Sequence, residues 1–264
     1  MIDSHLHLQD CIGAENPDGM VGKLRQIGVT QLMVNSTSPS DWRQVKCLAL
    51  KYPEVIPSFG VHPWKVESLA PGWLGDLESL LVEFPDACVG EIGLDKWIAN
   101  HDLPLQKEIL SEQLALAFRR DRPVTFHCLQ AWGSLLSCYD ESPYRGSFLL
   151  HSYGGPGEMI DDWVTRGAYF SISGYFFREE KKAKLSVFES IPRERILLET
   201  DAPDMALEES LVRYRGDGIG NHPANIEVVY EAFAQWAGEP LPRIREMVRE
   251  NFQRFLKGIQ DEAA

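Results

Sequence analysis

The chain has 264 residues, 44% of them hydrophobic, 25% charged and 10% aromatic, a composition that fits a folded globular protein and excludes a disordered or fibrous one. Lys plus Arg number 26 against 39 Asp plus Glu, for a net charge of −13, a field that repels polyanions unless a local cationic group overrides it. Five scattered cysteines with no Cys-x-x-Cys pair exclude a disulfide framework and a thiolate zinc site, and without a leader or a long apolar run the expectation is a cytoplasmic protein with no membrane partner.

The first apolar run, "IDSHLH" over 2–7, reads as a strand. Alternating side chains put His5 and His7 on one face, about 7 Å apart, a spacing that suits two ligands on one ion but that surface strands also carry by chance. Strands are then expected over 30–37, 55–62, 87–94, 123–128, 147–153, 169–173 and 196–201. Helical segments lie between them, among them 40–52, 73–84, 104–120, 156–166 and 179–190, with a final pair within 223–257. The 104–120 segment opens on Pro104, which suits a first helical turn, and sets its apolar positions opposite its charges. Eight β/α alternations predict an α/β fold of the (β/α)8 TIM-barrel type, as a single domain over 1–264. An open doubly wound sheet is the runner-up, but no glycine-rich phosphate loop follows the first strand.

Barrel enzymes carry their chemistry at the C-terminal ends of the strands. His5 and His7 end strand one, His62 ends strand three, Glu91 lies near the end of strand four, His127 ends strand five, His151 ends strand six and Asp201 ends strand eight. Each histidine alone reads as a hydrogen-bonded structural residue. Together on one rim, imidazoles and carboxylates can hold one or two divalent ions and leave positions open for water. Asp3 and Glu199 share parity with ligands two residues along and are expected to point into the barrel, where they could orient imidazoles or simply be buried with a partner. Cys128 sits beside His127, but alternation sends its side chain toward the helices, so it reads as core. His101 reads as an exposed loop residue and His222 as structural.

These segments resemble the TatD-type metal-dependent hydrolases of the amidohydrolase superfamily: "DSHLHL", "GVHPW" (60–64), "VGEIGLD" (89–95), "TFHC" (125–128), "LLHSYGG" (149–155), "LLETDAP" (197–203) and "GNHPAN" (220–225), in family order over nearly the whole chain. The resemblance implies a barrel with two divalent ions, drawn from Mg, Mn or Zn, and phosphodiester hydrolysis, commonly of DNA. It implies that His5, His7 and Asp201 hold one ion, that His127 and His151 hold the other, and that Glu91 bridges them. Asp201 could also accept the proton of the attacking water, and His62 would contact the phosphate or help the leaving group, its other role being a hydrogen bond in the "HP" turn. The chain departs from the family where it reads His151-Ser152-Tyr153-Gly154-Gly155, and where Cys128-Leu129-Gln130-Ala131 lacks the usual arginine. Both departures touch the substrate surface and spare the ligands.

Candidate substrate contacts are Trp64, which could stack on a base, and Arg178, Arg213 and Arg215, which could reach phosphates. The leading reading is a two-metal phosphodiesterase, or deoxyribonuclease, acting through a metal-bound hydroxide on DNA ends or short nucleotides, with no obligate protein partner. The alternative is metal-dependent hydrolysis of an ester, lactone or amide, including an aminoacyl-tRNA ester, on the same site.

Overall fold

The computed structural model describes residues 1–13 and 16–258; residues 14, 15 and 259–264, part of the domain expected over 1–264, lie outside the described residues. Eight parallel strands follow one another in sequence order: β1 (Ile2–Leu6), β2 (Gln31–Asn35), β3 (Val55–Phe59), β4 (Cys88–Asp95), β5 (Val124–Leu129), β6 (Phe148–Leu150), β7 (Ala168–Ser173) and β8 (Ile196–Glu199). The sheet curls until β8 returns beside β1. There the His7 N–H donates to the Ala202 carbonyl at 2.7 Å and the Asp201 N–H to the His5 carbonyl at 3.0 Å. The Thr125 hydroxyl approaches Met33 Sδ at 3.9 Å, a contact between β5 and β2, which are not neighbours in the sheet, so it crosses the barrel interior. This is the expected (β/α)8 barrel.

The helices are α1 (Pro17–Gln26), α2 (Trp42–Lys51), α3 (Trp73–Glu83), α4 (Leu103–Arg120), α5 (Trp132–Glu141), α6 (Ile160–Thr165), α7 (Lys182–Glu189), α8 (Ile226–Ala237) and α9 (Leu241–Lys257). The long α4 forms as its sequence dictates. The Asp102 carboxylate caps it by accepting from the Leu105 N–H at 3.0 Å, Pro104 opens it, and Arg119 and Arg120 lie in its last turn, where cations oppose the helix dipole. The segment expected as one helix over 156–166 divides into a 3-10 turn, Gly157–Met159, and α6; that over 179–190 divides likewise before α7. Among the described residues no helix is long and apolar enough to cross a membrane.

β1, β2, β3, β6 and β8 end earlier than expected, β6 with only three residues against the seven of 147–153, while β4 and β5 each run one residue further. His62, His151 and Asp201 therefore sit in the loops just past their strands. Glu91 departs from expectation the other way. It lies in the middle of β4, four residues before Asp95, at a break in register between the Val89–Val124 and Ile92–Phe126 pairs. Its N–H leaves the neighbouring strand ladder and donates to the Ser36 carbonyl at 3.0 Å. Gly93 makes the crowding beyond the break possible: a Cβ there would stand 1.9 Å from the His127 carbonyl oxygen, and its φ of 151° is outside the range of L side chains.

Candidate metal centre

All six side chains implied as metal ligands converge at the C-terminal mouth of the barrel, and every one is buried. Glu91 stands at the centre with its two oxygens facing different partners. Oε2 lies 3.5 Å from His5 Nε2 and 3.2 Å from His7 Nε2. Oε1 lies 2.8 Å from both His127 Nδ1 and His151 Nε2, and 3.5 Å from His62 Nε2. Asp201 Oδ1 completes the first side, 3.4 Å from His5 Nε2 and 3.7 Å from His7 Nε2.

The spacing decides what such a cluster can hold. Two donor atoms bound to one ion at about 2.1 Å stand about 3.0–3.5 Å apart in octahedral or tetrahedral arrangement, and the His5, His7, Glu91 and Asp201 atoms are separated by 3.2–3.7 Å. His5 Nδ1 and Nε2 are buried without a hydrogen-bond partner, as are His151 Nδ1 and Glu199 Oε2; unpaired buried polar atoms are costly unless something fills the site. By distance alone His5, His7 and Asp201 form one group of donor atoms close enough to share an ion, His62, Glu91 and His127 a second, and His5, His151 and Glu199 a third. Imidazole nitrogen and carboxylate oxygen without thiolate fit a divalent ion with open positions.

Hydrogen bonds around the cluster fix which ring nitrogen faces inward. His7 Nδ1 donates to the Asn35 carbonyl at 2.8 Å, which turns Nε2 toward Glu91 and Asp201. His127 Nε2 donates to Asp95 Oδ2 at 2.9 Å, which turns Nδ1 toward Glu91. In the "HP" turn His62 Nδ1 accepts from the Trp64 N–H at 3.1 Å, so its neutral ring carries the proton on Nε2. His222 makes the same turn in "GNHPAN", accepting from the Ala224 N–H at 3.0 Å.

Charge is distributed unevenly over these groups. Burial, with the neighbouring His127, pushes His62 down to about 4, and burial with His151 does the same to His5. At His7 burial is outweighed by the hydrogen bond and charge of Glu91 and the charge of Asp201, which raise it to about 10. Burial also opposes charge on Glu91, but the surrounding histidines hold its carboxyl well below the usual range. Asp201 is raised to about 7, chiefly by burial. Its backbone φ of 52° is left-handed, as is that of Ser152 at 40° beside His151, so β6 and β8 each deliver their side chains at a sharp backbone turn.

Of the residues expected beside the ligands, Glu199 lies 3.7 Å from His151 Nδ1 and accepts from the Ser152 N–H at 2.8 Å and hydroxyl at 2.6 Å. Asp3 orients no imidazole: its oxygens accept from the Thr200 N–H and hydroxyl and from the His5 N–H. Cys128 is buried in the core as expected, its thiol pushed up by desolvation, at the edge of the rim cavity.

That cavity has a volume of about 370 Å³ and includes Trp64, Lys65, Trp97, Asp10 and Asp204 beside the cluster. The three arginines considered for phosphate binding do not line it. Arg178 pairs with Glu180 at 2.9 Å, Arg213 with Glu227 and Glu231 at 2.7 Å each, and Arg215 with Glu209 at 2.6 Å. His101 bonds the Ile98 carbonyl at 3.1 Å and stays outside the cavity. Asp95, not among the expected site residues, also belongs to the site through its bond to His127. It lies four residues beyond Glu91 on the same strand, hence on the same face, a parity that could have flagged it.

The family model described as TatD related DNase matches residues 2–257. The chain is 29% identical to the protein named 3'-5' ssDNA/RNA exonuclease TatD of Dickeya dadantii (strain 3937), over 97% of this chain and 98% of that one. It is 26% identical to the uncharacterized metal-dependent hydrolase YjjV of Escherichia coli (strain K12), with 95% of each covered. The crystal structure of YjjV, a TatD homolog from Escherichia coli K12, superposes with a TM-score of 0.86 at 26% identity and covers 97% of both chains.

Proposed function

Given that the chain belongs to the TatD related DNase family, we propose that this metal-dependent hydrolase is a two-metal-ion phosphodiesterase, a single barrel domain that acts on the ends of DNA or on short nucleotide strands. The observation that carries the reading is Glu91, whose Oε2 faces His5 and His7 while its Oε1 faces His127 and His151. His5, His7 and Asp201 would hold one ion and His127 and His151 the other, with Glu91 shared between them; Mg, Mn and Zn all suit this donor set. Bound ions supply Lewis acidity to a phosphoryl oxygen and make a water acidic enough to attack at neutral pH.

The chain's own residues supply the rest. Asp201, whose Oδ1 faces the His5 and His7 nitrogens, is placed to accept a proton from the attacking water. His62 presents Nε2–H toward the cluster and can donate it to a phosphate oxygen or to the leaving oxygen. Lys65 is the one Lys or Arg among the cavity-lining residues, and it gives a phosphate a single cationic partner. Relatives named as 3'-5' single-strand exonucleases support action at ends.

The test joins metal analysis of the purified protein to degradation of a labelled single strand beside its circular form. Two ions per chain, stepwise shortening of the linear strand and an uncut circle are expected. Asp201→Asn, which keeps the shape and removes the charge, should lower kcat by about a thousandfold. Near-native turnover by that variant removes Asp201 from proton transfer. Turnover confined to lactones and carboxylic esters replaces the phosphodiesterase reading.

A further inference from the structure

Asp95 ends β4 fully buried, and four donors converge on its carboxylate. Oδ2 accepts from His127 Nε2 at 2.9 Å and from the Trp64 indole N–H at 2.8 Å. Oδ1 accepts from the Trp97 N–H at 2.6 Å and the Ile98 N–H at 3.2 Å. Behind it, Gln106 on α4 bonds both the Asp95 N–H at 2.8 Å and the Asp95 carbonyl at 3.0 Å. The carboxylate cannot turn without releasing either the histidine and one tryptophan or the loop that carries the other.

Both tryptophans line the cavity, and their exposures, 48% for Trp64 and 63% for Trp97, are unusual for the largest apolar side chains. The charge around them explains what such rings could serve. The cavity is lined by Asp10, Glu91, Asp201 and Asp204 against Lys65 alone, so ion pairs to a phosphate backbone are few. Stacking on an aromatic face needs no counter-charge and accepts any base.

We propose that Asp95 is a positioning residue that ties a nucleobase-stacking pair, Trp64 and Trp97, to His127, so that one carboxylate sets both where a base rests and how His127 faces the ions. The proposal deepens the phosphodiesterase reading and rests on it. By taking the Nε2–H of His127, Asp95 leaves Nδ1 to face Glu91. By holding the Trp64 indole and the backbone at Trp97, it sets the mouth against that same ring.

Asp95→Asn, Trp97→Ala and Trp64→Phe would be compared with the native full-length, metal-loaded protein on an oligodeoxynucleotide carrying an abasic residue at each terminal position in turn. In the native protein one abasic position should raise KM by roughly tenfold, and Trp97→Ala and Asp95→Asn should each shrink that ratio toward unity. Mn²⁺ binding without nucleic acid, followed by electron paramagnetic resonance, should weaken by about tenfold in Asp95→Asn and stay native in Trp97→Ala. Native base discrimination with native Mn²⁺ affinity in Asp95→Asn overturns the proposal. Should that variant not fold, Trp64→Phe removes the indole N–H bonded to Asp95 together with part of the stacking ring and leaves the His127–Asp95 bond in place; it must reduce the abasic ratio while Mn²⁺ affinity stays native, and an unchanged ratio there overturns the proposal. If the native protein cleaves no phosphodiester, the functional reading fails by itself. Quenching of tryptophan fluorescence by the same oligonucleotides then decides the stacking pair: loss on base removal supports it, and indifference to base removal overturns it.

Discussion

At the scale of the residue, His62 illustrates how one hydrogen bond assigns a proton. Its Nδ1 accepts from the Trp64 N–H and burial holds the ring neutral at pH 7, so Nε2 carries the hydrogen and has no lone pair for a cation. His62→Ala is therefore expected to lower kcat by about a hundredfold while metal content stays native; loss of metal would make it a ligand. His7 predicts a pH dependence. Glu91 and Asp201 raise it to about 10, so it is protonated at neutral pH, and an entering cation must displace that proton. Metal affinity should rise with pH, and calorimetry in two buffers of different ionisation enthalpy should report net proton release on loading. Identical heats in both buffers would refute the assignment. His5, His7, Glu91, His127, His151 and Asp201 could be picked out because residue type and strand position both marked them. The fates of Arg178, Arg213 and Arg215 could not, since the carboxylates that hold Arg213 sit 14 and 18 residues onward on α8 and nothing local announces them.

At the scale of the element, all eight strands were legible because buried parallel strands are continuous apolar runs. Their ends were not. The segment expected as a strand over 147–153 pairs only through Leu150, and its backbone turns left-handed at Ser152, a change of φ that residue type does not record. Strand four, expected over 87–94, in fact includes Asp95. Helices α1 and α5 escaped the segments named because their sequences, PDGMVGKLRQ and WGSLLSCYDE, carry glycine and serine that blur the helical signal. Gly93 carries the prediction at this scale. Gly93→Ala would drive a methyl into the His127 carbonyl, so it should destabilise the protein by about 3 kcal/mol or more and weaken metal binding through His127. Thermal unfolding with metal titration checks both, and an unchanged Tm would mean that β4 and β5 separate there at little cost.

At the scale of the whole molecule, a charge of −13 and arginines already paired leave few cations for a polyanion. Each neutralised phosphate adds about 0.7 to the log-log salt slope on single strands, so the slope of KM with salt at fixed metal should be no steeper than roughly 3 in magnitude. A steeper slope would reveal a basic track across the surface. The seam between β8 and β1 has a different bearing. The His7 N–H reaches Ala202 and the Asp201 N–H reaches His5, so the bonds that bring the two sides of the barrel together run through residues of the candidate site itself. His5 and His7 on the first strand have no partner across that seam until the eighth strand is in place. A chain cut short before the eighth strand lacks both Asp201 and the seam it closes, so the candidate site is complete only once the first and last strands lie side by side.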